Sequence, residues 1–127
     1  MSRTIKFRGK SIYSHEWVYG CGVLREGDNV LILGLPGAFH ARVEPGSEGQ
    51  FTGLLDKNGK EVFENDIVEV ADRMASNVPL VGVITYYPRL AYFATEIKSI
   101  DGHLTFTDLH SEFEILGNVY ENEDLLK

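Results

Sequence analysis

Apolar and polar positions alternate with a period of two along most of the chain, in short runs that glycine, proline, asparagine and aspartate interrupt. That is the pattern of short β-strands. In Thr4-Ile5-Lys6-Phe7-Arg8, Ile5 and Phe7 take one face and Lys6 and Arg8 the other, which predicts a half-buried strand. From Trp17 to Leu24, Trp17, Tyr19, Cys21 and Val23 alternate with Val18, Gly20, Gly22 and Leu24, and the glycines leave room for a second backbone or a bulge. The turn cluster Glu26-Gly27-Asp28-Asn29 leads into a short apolar strand, Val30-Leu31-Ile32-Leu33. Lys57-Asn58-Gly59-Lys60 predicts a two-residue type I′ hairpin turn, because Asn and Gly tolerate positive φ. Asn65-Asp66 opens the run Ile67-Val68-Glu69-Val70, and Val81 to Tyr87 reads as a strand between Pro79 and Pro88.

With Asp101-Gly102 as a two-residue turn, Ile97 faces Phe106, Lys98 faces Thr105 and Ser99 faces Leu104. Ile97, Leu104 and Phe106 then point to a core, and Glu96, Lys98, His103, Thr105 and Thr107 to solvent. Phe113, Ile115, Gly117 and Val119 mark a last strand, and Glu121 to Leu126 a short terminal turn of helix. Residues 34 to 50 hold two prolines and four glycines, which predicts an extended surface loop or a boundary between two subregions. The expected fold is a single, mainly β domain over residues 1–127 with little helix. About eight or nine short antiparallel strands would form a partly open, SH3-like barrel or two small β subregions.

Composition narrows the setting. At 127 residues, 43% of them hydrophobic and 24% charged, the chain can bury a core without metal or disulfide, and it has no apolar run long enough to span a membrane. Its start lacks the apolar stretch of a secretory signal, so export is not expected. Cys21 is the only cysteine, read as a buried thiol, and a cytoplasmic location fits a chain with no internal disulfide. The net charge of −7 disfavours a protein that coats nucleic acid or anionic membrane. The charge is uneven: Arg3, Lys6, Arg8 and Lys10 make the first ten residues basic, whereas residues 101–127 hold seven acids against Lys127. A basic first strand beside acidic neighbours, within the fold or across a subunit contact, accounts for that asymmetry.

Few residues point to chemistry. Asp101, His103, Asp108 and His110 are ligand types, but in a continuous strand Asp108 and His110 share one face and His103 takes the other, so no metal site is assigned. Among Glu64, Asp66 and Glu69, Asp66 is placed to cap its own turn rather than to pair for acid–base work. Ser47, with His40 nearby in sequence, lacks the glycine two residues before it that a nucleophile elbow requires. No phosphate loop or dinucleotide fingerprint occurs. No catalytic residue, cofactor or metal is therefore expected. Phe7, Trp17, Tyr19, Tyr86, Tyr87, Tyr92 and Phe93 with Lys6, Arg8 and Arg89 match the mixture that binds single strands on small barrels, and Lys6 and Arg8 form the candidate basic patch.

Three blocks carry a resemblance to the YopX family of phage and prophage proteins. They are Ile5-Lys6-Phe7-Arg8-Gly9 with Glu16-Trp17-Val18-Tyr19-Gly20; the stretch from Gly49 to Val70; and Ile115-Leu116-Gly117-Asn118-Val119-Tyr120-Glu121-Asn122. Where the family usually reads Pro-Glu-Thr-Val-Gly-Gln, this chain has Pro45-Gly46-Ser47-Glu48-Gly49-Gln50, keeping the proline, the glycine and the glutamine. The resemblance implies a mostly β fold encoded by a mobile element, and supplies no catalytic residue. The expectation is a non-catalytic module that binds a protein partner or itself, through the 34–50 loop with Phe39, His40 and Arg42 and a turn with Tyr86, Tyr87 and Arg89. Nucleic-acid binding is the alternative and an enzyme the third reading.

Overall fold

The structure is a computed structural model and describes residues 4–70, 80–87, 92–98, 104–107 and 113–126. Among these residues the chain forms twelve strands and one short 3-10 helix. In chain order the strands are β1 (Phe7–Lys10), β2 (Trp17–Gly20), β3 (Gly22–Glu26), β4 (Asn29–Leu35), β5 (Ala38–Val43) and β6 (Gly49–Leu55). They continue with β7 (Glu61–Phe63), β8 (Asp66–Val70), β9 (Leu80–Tyr87), β10 (Tyr92–Lys98), β11 (Leu104–Thr107) and β12 (Phe113–Asn118), and the helix covers Glu123–Leu126. No described helix is long and apolar enough to cross a membrane. The fold is mainly β, in open antiparallel sheets ordered β2-β1-β6-β7, β3-β4-β5 and β11-β10-β9-β8-β12. The chain divides into two compact units, Met1–Gly53 and Leu54–Lys127, and the division falls within β6.

The first unit is built on alternation. Val30, Ile32 and Val43 are buried together, and Phe7, Val18, Val23 and Leu35 pack against them. Ile32 is fully buried, and such burial contributes about 1.5–3 kcal/mol for an aliphatic side chain. Gly20 is required here, because a Cβ at that position would run into the backbone carbonyl of Leu33. The second unit has its own cluster, Val62, Val68, Ile84 and Phe113, with Phe93 and Ile115 against it. In β12 the pairing with β8 shifts between Ile115 and Gly117, a bulge that leaves Leu116 38% exposed.

Several local expectations change. β1 begins at Phe7, so Ile5 lies outside the strand and is 49% exposed. The Trp17–Leu24 run is two strands in different sheets: the chain leaves β2 at Cys21, whose N–H donates to the Leu33 carbonyl (2.8 Å), and the thiol is exposed instead of buried. Residues 34–50 form no extended loop. Pro36-Gly37 reverses the chain in two residues and β5 follows at once. Ser47 then orders the return: its hydroxyl donates to the Glu44 carbonyl and accepts the Lys10 N–H at 3.0 Å, so both of these bonds serve the backbone. These splits account for more strands than expected.

Two turns also differ from their sequence signals. Gly59, but not Asn58, has positive φ (81°), and the Asp56 and Lys60 backbones close the turn at 2.8 Å around three residues. This is a type I turn followed by a left-handed glycine, in place of type I′. The reason is Asp56, whose Oδ1 accepts the amides of Asn58 (2.8 Å) and Lys60 (2.9 Å) and whose Oδ2 accepts that of Ile115 (3.1 Å). Between β10 and β11, Lys98 pairs with Leu104, Ile97 with Thr105 and Glu96 with Phe106, one residue out of the expected register. The proposed Asp101-Gly102 turn itself lies outside the described residues.

Candidate functional site

Phe39, His40 and Arg42 lie in β5, within the first unit; Tyr86 and Tyr87 end β9, within the second. None of them is in a loop, because Phe, Tyr and the neighbouring β-branched residues are strand formers. Arg89, and the ligand-type residues Asp101, His103, Asp108 and His110, lie outside the described residues. Tyr86 faces Phe93 across β9 and β10 with ring centroids 5.1 Å apart and is 39% exposed. Asp66 is 1% exposed and accepts the Phe63 N–H at 2.8 Å, the turn-capping role that its position after Asn65 predicts.

The three-stranded sheet of the first unit presents two unlike faces. Val30, Ile32 and Val43 turn to the core, whereas register pairs Leu24 with Leu31, Leu31 with Arg42 and Leu33 with His40 on the opposite face. There Leu24 is 44% exposed, Leu31 and Leu33 are half-buried, and His40 and Arg42 are exposed. At the hairpin end, Pro36 and Gly37 (φ 77°) fit a type II turn, with Leu35 and Ala38 paired across it. Gly34 has φ of 73°, and the Cys21 sulfur occupies the place a Cβ would take. Leu35 consequently packs toward the core, although alternation from Leu33 would send it outward. Phe39 is left 92% exposed and, with Gly34, Leu35, Gly37 and Ala38, lines an open concavity of about 430 Å³. Sequence reading named Phe39 but missed this lining; Pro-Gly between apolar runs is the turn signal that would have found it.

The candidate basic patch is differently used. Arg8 pairs in register with Tyr19, and its guanidinium lies 4.7 Å from the centroid of the Trp17 ring. Lys6 has its ammonium 5.8 Å from the centroid of the Phe51 ring. Both residues are half-buried, with their charges over rings of their own chain.

Residues in the three recognisable blocks are spent on backbone geometry. Gly9 meets Val43 and Gly20 meets Leu33 closely; Asp56 and Asp66 hold turns; and Gly117 leaves room for the Asn122 side chain. Asn122 Oδ1 accepts the Asn118 amide (3.1 Å), while the Asn118 side chain accepts the Glu121 amide (2.8 Å) and donates to Glu121 Oε1 (3.1 Å). Burial pushes the Asp56 carboxyl up, but the amides of Lys60, Ile115 and Asn58, with the Lys60 ammonium, more than offset it and hold the carboxyl below its usual range.

Two small antiparallel units, each with its own apolar cluster, the first with loops tied by the buried serines Ser11 and Ser47 and the second with turns tied by the buried Asp56, Asp66 and Asn118, define an all-β protein. The chain belongs to the YopX protein family, whose profile matches residues 6–127. Its fold is similar to that in the crystal structure of protein EF1440 from Enterococcus faecalis, with a TM-score of 0.57 over 99% of this chain and 100% of that one. At 22% identity, that likeness concerns the fold alone. No curated protein matches the chain.

Proposed function

We propose that this chain is a non-catalytic accessory protein of a phage or prophage, working in the cytoplasm by binding a protein chain. The contact surface in this reading is the β4–β5 hairpin tip with the outer face behind it. The observation that carries it is Phe39: an aromatic residue 92% exposed that, with Gly34, Leu35, Gly37 and Ala38, lines an open apolar concavity. Leaving such a ring in water is unfavourable, and an aromatic anchor at a concave apolar patch is the usual centre of a protein interface. Mobile-element origin and the cytoplasm rest on the family resemblance and on the single cysteine.

Single-stranded nucleic acid ranks second. Arg8, Trp17 and Tyr19 share neighbouring strands, with Lys6 just before the first of them, but both cations already lie over rings of their own chain, and the net charge of −7 opposes a polyanion. Enzymatic activity ranks third. The test is capture on immobilised protein with and without nuclease, comparing the wild type with Phe39→Ala. A stoichiometric protein, itself or another, that survives nuclease and is lost with Phe39→Ala supports the reading; nuclease-sensitive capture indifferent to Phe39 replaces it with nucleic acid.

A further inference from the structure

Asn58 is the one asparagine of the chain that precedes a glycine; the others precede Val, Asp or Glu. An Asn-Gly pair carries a reaction of its own. The Gly59 nitrogen attacks the side-chain carbonyl carbon of Asn58, a C–N bond forms, and the side-chain nitrogen leaves as ammonia, taking the Gly59 proton. Water then opens the succinimide at either carbonyl and leaves an aspartyl or isoaspartyl group at position 58. Glycine favours the attack because no Cβ shields its nitrogen and its backbone turns freely. Asn58 is exposed, so water reaches it. We propose that Asn58 is a spontaneous modification site gated by the Asp56 turn, closed in the folded second unit and open when the turn lets go of β12.

Three features of the turn hold the reaction back. Ring closure needs the Gly59 nitrogen on the same side of the Asn58 Cα–C bond as Cβ, whereas the third residue of a type I turn has ψ of about 0°, which turns that nitrogen about 120° away. The Gly59 N–H is also donated to the Asp56 carbonyl at 3.0 Å, so the attacking group is occupied. Asp56 fastens both sides of the reacting peptide: its Oδ1 accepts the amides of Asn58 (2.8 Å) and Lys60 (2.9 Å), and its Oδ2 that of Ile115 in β12 (3.1 Å). The rotation that closes the ring breaks these bonds, so the reaction proceeds through turns that have opened. The product does not fit the closed turn. Asn58 Nδ2 donates to Glu114 Oε1 at 3.3 Å, where a carboxylate would meet like charge, and the isoaspartyl form lengthens the backbone between the two amides that Oδ1 holds. Modification therefore fixes the turn open.

The experiment is peptide mapping of the full chain by mass spectrometry after warm incubation at neutral pH, with isoaspartate identified by electron-transfer fragmentation. In concentrated urea, where the turn is open, Asn58 is expected to convert ahead of every other asparagine. In native buffer the wild type should convert at least about 10-fold more slowly, since hydrogen bonds to a charged group must break first. Asp56→Asn, which weakens the hold and keeps the shape, should convert several-fold faster than wild type in native buffer and at the wild-type rate in urea. Amide hydrogen exchange at Gly59 of the wild type, read by NMR, should show protection of the same order as the slowing of conversion, because both wait for the same opening.

No conversion at Asn58 in urea would mean that there is no site, and conversion in native buffer as fast as in urea would mean that the turn is no gate; either overturns the inference. A folded Asp56→Asn that converts as slowly as wild type does the same. Should that variant not fold, Gly59 exchange in the wild type decides: an amide that exchanges freely while conversion stays slow overturns the gate.

Discussion

At the scale of single residues, polar side chains here work mostly for the backbone. Asp56 is the clearest case: buried to 6% exposure, it accepts three amides drawn from its own turn and from β12. Asp56→Asn keeps the shape but loses the charge and one acceptor, leaving a buried amide group unpaired, so a loss of about 1–3 kcal/mol is expected in urea denaturation. Because its folded-state pKa lies below the ordinary 3.8, the carboxylate's contribution is complete above that value and is lost as pH falls through the lower, folded pKa. Stability measured from pH 6 downward should therefore fall more steeply below about pH 4 in the wild type than in Asp56→Asn. In the sequence Asp56 stands just before the Lys57-Asn58-Gly59-Lys60 turn signal, which says nothing of its partners. Its hydrogen bond to Ile115 spans 59 residues, a distance at which no local pattern speaks.

At the scale of elements, short strands gain definition from what ties their ends. β12 stops where Asn118 and Asn122 exchange hydrogen bonds: the Asn118 amide donates to Asn122 Oδ1 at 3.1 Å and the Asn122 amide to the Asn118 carbonyl at 2.8 Å. Asn122→Ala removes the first of these and opens a void over Gly117, so a loss of about 1 kcal/mol is expected, with faster amide exchange at Asn118 and little change in the first unit. The β3–β4 hairpin was legible, since Gly27 takes the first turn position with φ of 60° as its sequence suggests. The β4–β5 hairpin was hidden by composition: Pro36, Gly34 and Gly37 read as a loop because their turn chemistry was pooled with that of Pro45-Gly46. The β10–β11 register, reckoned from the Asp101-Gly102 signal alone, missed by one residue: Lys98 pairs with Leu104.

At the scale of the molecule, charge and core make separate predictions. With a net charge of −7, two copies repel at long range, so raising salt from about 20 mM to about 150 mM should tighten self-association by screening. Nucleic-acid binding would weaken over the same range, which makes one salt titration decide between them. Ile32 and Ile84 are both fully buried, in clusters that share no residue. Ile32→Val and Ile84→Val should each cost about 0.5–1.5 kcal/mol. Their double variant should be additive within about 0.5 kcal/mol by urea denaturation, and a larger coupling would mean that the two cores respond to each other. By itself the sequence determined the β class, the family and most strand positions, because period-two alternation, turn residues and short motifs are local properties of the chain. Only the tertiary structure decided that Cys21 is exposed, that the cations of Lys6 and Arg8 lie over Phe51 and Trp17, and that Phe39, although exposed, helps to line a hollow. Burial and approach depend on which distant segments meet, and alternation assigns a side chain to a face without saying what covers it.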